Sequence, residues 1–186
     1  MADPPLDNRD DDPINVEVVR DSRLKKTIRW ELNGNRMRIR APKHIRPAQL
    51  EQQIAEIVER VRRRRAQVRA RTDANLEARA RQINRHYYGG EISWHSIRWV
   101  SNMRQRLGSC TTGGSTDGDI RISVQIKGWP DWVVDYVIAH ELAHVKYQNH
   151  SPEFWVYVGR YPQAERAQGF VLGVAFQQGR DDEGWL

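Results

Sequence analysis

Residues 131–147, DWVVDYVIAHELAHVKY, impose the tightest constraint on what this chain can become. Pro130 opens the segment, and its apolar residues keep to no single stripe. Trp132, Val133, Val134, Val137, Ile138, Ala139, Leu142, Ala143 and Val145 cover the whole circumference of a helix. A helix of that kind belongs in a core. Yet its middle carries His140, Glu141 and His144, whose burial without partners costs several kcal/mol.

Helical spacing supplies the partner. Histidines four residues apart project from one face, one turn above the other. Both imidazoles can then reach a single cation at about 2 Å. Glu141 sits about 100° round the helix, off the ligand pair but close to water held at the cation. This is HExxH, two zinc ligands with a glutamate as general base. A catalytic zinc takes three protein ligands and keeps a fourth position open, and His150 is the candidate for the third. The helix must end between His144 and His150, and Asn149 suits the left-handed turn that such an end often needs. Ser151-Pro152-Glu153 then starts a final helix, with Ser as N-cap and Pro at the first position. Glu153 is the rival ligand, although a carboxylate is favoured in a first helical turn in any case.

The surrounding pattern predicts an α+β chain. INVEVVRD, KKTIRWEL and NRMRIRAP read as three strands of a small antiparallel sheet, with a hairpin at Asn33-Gly34-Asn35. Leu50, Ile54, Ile57, Val58 and Val61 recur at helical spacing in a long helix with a basic C-terminal half. A second helix spans about 73–88, capped by Thr72 or Asp73 and stopped at Gly89-Gly90. ISWHSIRWVS reads as a strand, LGSCTTGGSTDGD as a loop, and DIRISVQIKG as a strand whose isoleucines and Val124 face one way. The expected organisation is an acidic tail over 1–13, a hairpin region with a basic helix over 14–71, a hydrolase domain over 72–178 and an acidic end over 179–186.

No apolar run is long enough to cross a bilayer, and the lone Cys110 speaks against a disulfide-stapled secreted domain. A soluble cytoplasmic protein without membrane contact is expected. Charge is strongly patterned: residues 20–71 hold 17 Lys and Arg against 5 Asp and Glu. Such a segment either forms a solvated face or attracts a nucleotide or nucleic acid.

DYVIAHELAHVKYQNHSPEFW resembles the YgjP-like metallopeptidase family, which has Asp-Tyr-Val before HELxH and a later His-Ser-Pro-x-Phe-Trp. RLGSC is similar to that family's Arg-Trp-Gly-Ser-Cys, with Arg106, Gly108, Ser109 and Cys110 matching and Leu107 in place of Trp. The resemblance covers most of residues 14–175. It implies a zincin-like α+β domain with a small N-terminal sheet, a long helix and an active-site helix. It implies zinc held by His140, His144 and His150, with water activated by Glu141. The His-x-Pro-Glu-Phe element is also similar to SprT/Spartan proteases, which act on DNA–protein crosslinks.

A zinc-dependent peptidase acting on polypeptides is the leading expectation. Asp135 and Arg106, both in matched motifs, form a candidate supporting pair. Residues Ile120, Arg121, Ile122, Ser123 and Val124 form a candidate edge strand for an extended substrate. Tyr147, Tyr157, Tyr161 and His95 are candidates for oxyanion stabilisation. The alternatives are a zinc-dependent nucleoside triphosphate pyrophosphohydrolase, a DNA-associated SprT-like protease, and a nucleic-acid-binding module with structural zinc. The last fits poorly, since structural zinc usually has four Cys or His ligands.

Overall fold

A computed structural model describes residues 13–179. The expected acidic tails lie outside the described residues, apart from Pro13 and Gly179. The chain forms two compact units that divide between Ala66 and Gln67.

In the first unit, β1 (Asn15–Asp21), β2 (Arg29–Asn33) and β3 (Arg36–Pro42) form a sheet of order β1-β3-β2. Gly34, at φ +55°, makes the predicted hairpin between β2 and β3. The expectation of a wholly antiparallel sheet is corrected: β1 pairs with β3 in parallel. The Asn-Gly turn announces only the local β2–β3 pair, whereas the partner of β1 is set by a distant contact. Helix α1 (Pro47–Ala70) places Ile54, Ile57, Val58 and Val61 in a cluster with Met37 and Ile39. Arg65, on the same helix, donates to Gly34 O (2.8 Å) and Asn35 Oδ1 (3.0 Å), so this arginine of the basic run ties down the hairpin.

The second unit opens in the last turn of α1. Arg71, the residue after α1, is buried and donates to the carbonyls of Ile126, Lys127 and Trp129 and to Asp131. Helix α2 (Asp73–Tyr88) is capped by Thr72, whose hydroxyl accepts from Asn75 N, and ends at Gly89 with φ +65°. Strands β4 (Ser96–Val100), β5 (Gly108–Cys110) and β6 (Asp119–Ser123) form a second sheet of order β4-β6-β5. The alternation read through Ile126 stops at Ser123. From there the chain tightens into a 3-10 turn over Val124–Gly128, and the Ser123 hydroxyl accepts from Gln125 N.

Helix α3 (Asp131–His144) runs through the centre of this unit, and Val133, Val137, Ile138, Ala139, Leu142 and Ala143 are fully buried. Its carbonyls are engaged from neighbouring elements: Tyr88 OH donates to Ala139 O (3.1 Å) and Tyr161 OH to Trp132 O (3.0 Å). The single final helix expected from Ser151 is two, α4 (Pro152–Val158) and α5 (Ala164–Gln177), parted around Gly159 and Pro162. Among the described residues, no helix is long and apolar enough to cross a membrane.

Candidate metal centre

The all-apolar helix sets two histidines in the core, and the turn after it brings back a third. His140 is fully buried, His144 half-buried and His150 exposed. His140 Nε2 lies 3.1 Å from His144 Nε2 and 3.1 Å from His150 Nε2. Two ligands of a tetrahedral cation, each about 2 Å from it, stand about 3.3 Å apart, so the spacing fits. Hydrogen bonding among the rings cannot explain it, because one Nε2 offers either one proton or one lone pair and here meets two neighbours. His144 Nδ1 lies 3.0 Å from Tyr147 O. A carbonyl only accepts, so Nδ1 carries the proton, and in the neutral ring the lone pair is left on Nε2.

Helix α4 props the cluster from below. Ser151 caps it, its hydroxyl accepting from Phe154 N at 3.4 Å, with Pro152 in the first turn as predicted. The cap sets Phe154, fully buried, against all three imidazoles at ring-centre distances of 4.8, 4.5 and 4.8 Å. Trp155 stacks on His150 at 5.3 Å. Glu153 stays outside the donor cluster, in the first turn of α4.

Electrostatics agree with a ligand set. Burial holds His140 well below the usual imidazole range, with His144 and His150 adding to it, and burial lowers His144 and His150 too. All three are therefore neutral near pH 7, the form that binds metal. Glu141 is only 1% exposed, and burial pushes its carboxyl up to about 8 against the opposing pull of Arg106. Among the described residues its buried Oε2 has no hydrogen-bond partner. A buried, unpartnered carboxylate oxygen next to three neutral imidazoles suits a cation and the water it holds.

Strand β5, read as loop from the sequence, decides the rest of the geometry. Gly108 leaves the space that Glu141 fills: a Cβ there would lie 2.7 Å from Glu141 Cδ and Cγ. Arg106, Gly108, Ser109, Cys110, Thr112, Glu141, His144, Gln148 and His150 line one cleft of about 350 Å³. Burial, followed by the charge of Glu141, pushes the Cys110 thiol up to about 12, so it is not a nucleophile at neutral pH.

Several expectations need correction. The β6 segment of Ile120, Arg121, Ile122 and Ser123 is paired on both sides, with β4 and with β5, and Val124 has left the strand. It has no free edge to offer. The free edge beside the cleft belongs to β5. Leu107 O accepts from Ser123 N and Thr111 N donates to Asp119 O, so the backbone groups of Gly108 and Cys110 point away from β6. Asp135 pairs with Arg79 on α2 through both its oxygens, not with Arg106. The candidate oxyanion donors serve elsewhere: Tyr157 OH donates to Glu91 and Tyr161 OH to Trp132 O, while His95 pairs with Asp119. The ring of Tyr147 packs against Tyr157.

Residues 91–168 match the family model described as YgjP-like, metallopeptidase domain. Among solved structures, the metallopeptidase zymogen abylysin of Pyrococcus abyssi aligns at 20% identity and a TM-score of 0.45. The alignment covers 56% of this chain and 96% of that one. No curated protein matches the chain. The span that holds the three histidines, Glu141 and the β5 edge is thus similar to the metallopeptidase domain of the YgjP-like family.

Proposed function

We propose that this protein is a zinc-dependent metallopeptidase, with His140, His144 and His150 as ligands and Glu141 as general base. One observation carries the reading: three imidazole nitrogens converge beside a buried carboxylate oxygen that has no hydrogen-bond partner among the described residues. Three neutral nitrogen donors suit Zn²⁺, which would supply Lewis acidity to the site. The similarity to a metallopeptidase domain supports peptide chemistry.

The chain's own groups account for the other steps. Glu141, seated against Gly108, takes a proton from the attacking water at Oε2 and returns it to the leaving nitrogen. Its raised proton affinity keeps the carboxyl near the pH at which one group can do both. Arg106 favours the ionised form of that carboxyl and so steadies the base. The outward backbone groups of Gly108 and Cys110 favour an extended polypeptide as substrate, added as a further strand along the cleft.

The test offers zinc-loaded protein an unstructured polypeptide and, separately, nucleoside triphosphates, each with and without DNA. Cleavage of the polypeptide alone, abolished by chelator, is expected. Turnover of triphosphates only would replace the peptidase with a pyrophosphohydrolase. Polypeptide cleavage that requires DNA would favour the SprT-like reading.

A further inference from the structure

We infer that Arg121 makes the cleft prefer polypeptides with an acidic side chain at the residue lying opposite Ser109. This rests on the peptidase reading and on entry of the substrate along β5. Arg98, Arg121 and Ser109 are register partners across β4, β6 and β5, so their side chains share one face of the sheet. It is the face opposite Ile120 and Ile122, both fully buried. A strand added at the free edge of β5 would show every second side chain to that face.

Arg121 already reaches towards that edge. Its Nη2 donates to Thr111 Oγ1 at 3.4 Å, the residue that follows β5, so the guanidinium leaves its own strand and lies over the next. Ser109 is the register partner in between, and its side chain is small. Neighbouring strands stand about 4.8 Å apart, which puts the added residue about 10 Å from the β6 backbone. An arginine and a carboxylate side chain meeting halfway span that gap.

Charge compensation separates Arg121 from its neighbour. Arg98 acts on the carboxylate of Asp119, which also accepts from Ser96 Oγ (2.6 Å) and pairs with His95 Nδ1 (2.8 Å). Among the described residues, Arg121 has no carboxylate within ion-pair distance, and its Nε is buried without an acceptor. Its guanidinium makes the long contact to Thr111. A guanidinium left so is a donor in need of an acceptor, and a carboxylate matches it in charge and shape.

The experiment uses the zinc-loaded Glu141→Gln protein, so that binding is read without turnover. Labelled unstructured peptides carry Glu, Gln or Lys at one position at a time, and affinity is measured by fluorescence anisotropy. At one position, Glu should bind about tenfold more tightly than Gln, and Lys more weakly than either. Adding Arg121→Gln should erase the difference while the all-Gln peptide changes less than twofold. Arg121→Lys should keep part of it, with melting temperatures confirming the fold. Equal binding of the three series, absence of peptide binding, or a preference that persists in Arg121→Gln would overturn the inference. A Glu preference that depends on Arg121, combined with no peptide cleavage by the unmutated protein, would sink the peptidase reading instead.

Discussion

The two sheets of this chain have the same plan and different fates. Each has its third strand in the middle, parallel to the first and antiparallel to the second. In the first sheet the outer strand β2 carries Arg29, Trp30 and Glu31 exposed, and helix α1 contributes one apolar stripe and a polar back. In the second sheet the outer strand β5 opens with Gly108, and helix α3 is buried almost throughout. Topology is therefore not what makes a site. The second edge differs because the neighbouring helix buries His140 and Glu141 beside it, and because the strand gives up a side chain at Gly108 to admit Glu141. Charge divides the same way: residues 13–66 hold 15 Lys and Arg against 6 Asp and Glu, and residues 67–179 hold 13 against 10.

Matched substitutions can break this comparison. The largest contrast is His140→Ala against Arg65→Ala. The first should lose bound zinc and at least a thousandfold in polypeptide cleavage, since it removes the central nitrogen of the cluster. The second removes two hydrogen bonds to the hairpin and should cost about 1–2 kcal/mol in denaturant melts, with cleavage unchanged. Comparable loss of activity in both would show that the site does not belong to the second unit alone.

A smaller contrast sets Gly108→Ala against Gly34→Ala. The added methyl at 108 meets the Glu141 side chain, which is buried and has little room to give way. Cleavage should fall about a hundredfold, with a stability loss of about 1–3 kcal/mol. At Gly34 nothing lies within 4 Å and only the left-handed φ of +55° resists, so about 1–2 kcal/mol of stability is lost and no activity.

The buried carboxyl also predicts a pH effect in metal-free protein. Folding raises Glu141 from its ordinary 4.5 to about 8. The stability tied to its proton is full below about pH 4.5 and is lost as pH rises through 8. Glu141→Gln has no such proton to lose, while the histidine titrations are common to both proteins. Melts of the two metal-free proteins should therefore diverge from pH 4.5 to 8, with the unmutated one falling behind. Parallel curves would mean that the carboxyl is solvated. The smallest effect is expected for Arg62, Arg63 and Arg64 changed together to Ala. If the basic helix holds a polyanion, the salt dependence of DNA binding should flatten by about three in slope, and cleavage should not change. Unaltered DNA affinity at low salt would leave these arginines as a solvated face.

Local signals made much of this readable in the sequence. The unbroken apolar run of α3, the His140–His144 spacing, the Ser151 cap and the Thr72 and Gly89 boundaries of α2 depend on neighbours a few residues away. What escaped depends on contacts across the chain. Strand β5 is three residues inside a Gly/Ser/Thr-rich run, and nothing within it reveals that it pairs with β6 or that Gly108 makes room for Glu141. The parallel partner of β1 and the Arg79–Asp135 pair are distant for the same reason. The Ser151 cap that starts the helix of Phe154 is local, but the place of Phe154 against all three imidazoles needed the fold.

In the proposed site the three histidines hold a metal while Glu141 performs proton transfer. Zinc content and polypeptide cleavage measured on one sample of Glu141→Gln, beside the unmutated protein, test it most directly. About one zinc per chain in both, with cleavage at least a hundredfold slower in the variant, is the predicted result. Cleavage undiminished in the variant, or no zinc bound by either protein even after addition of the metal, would contradict it.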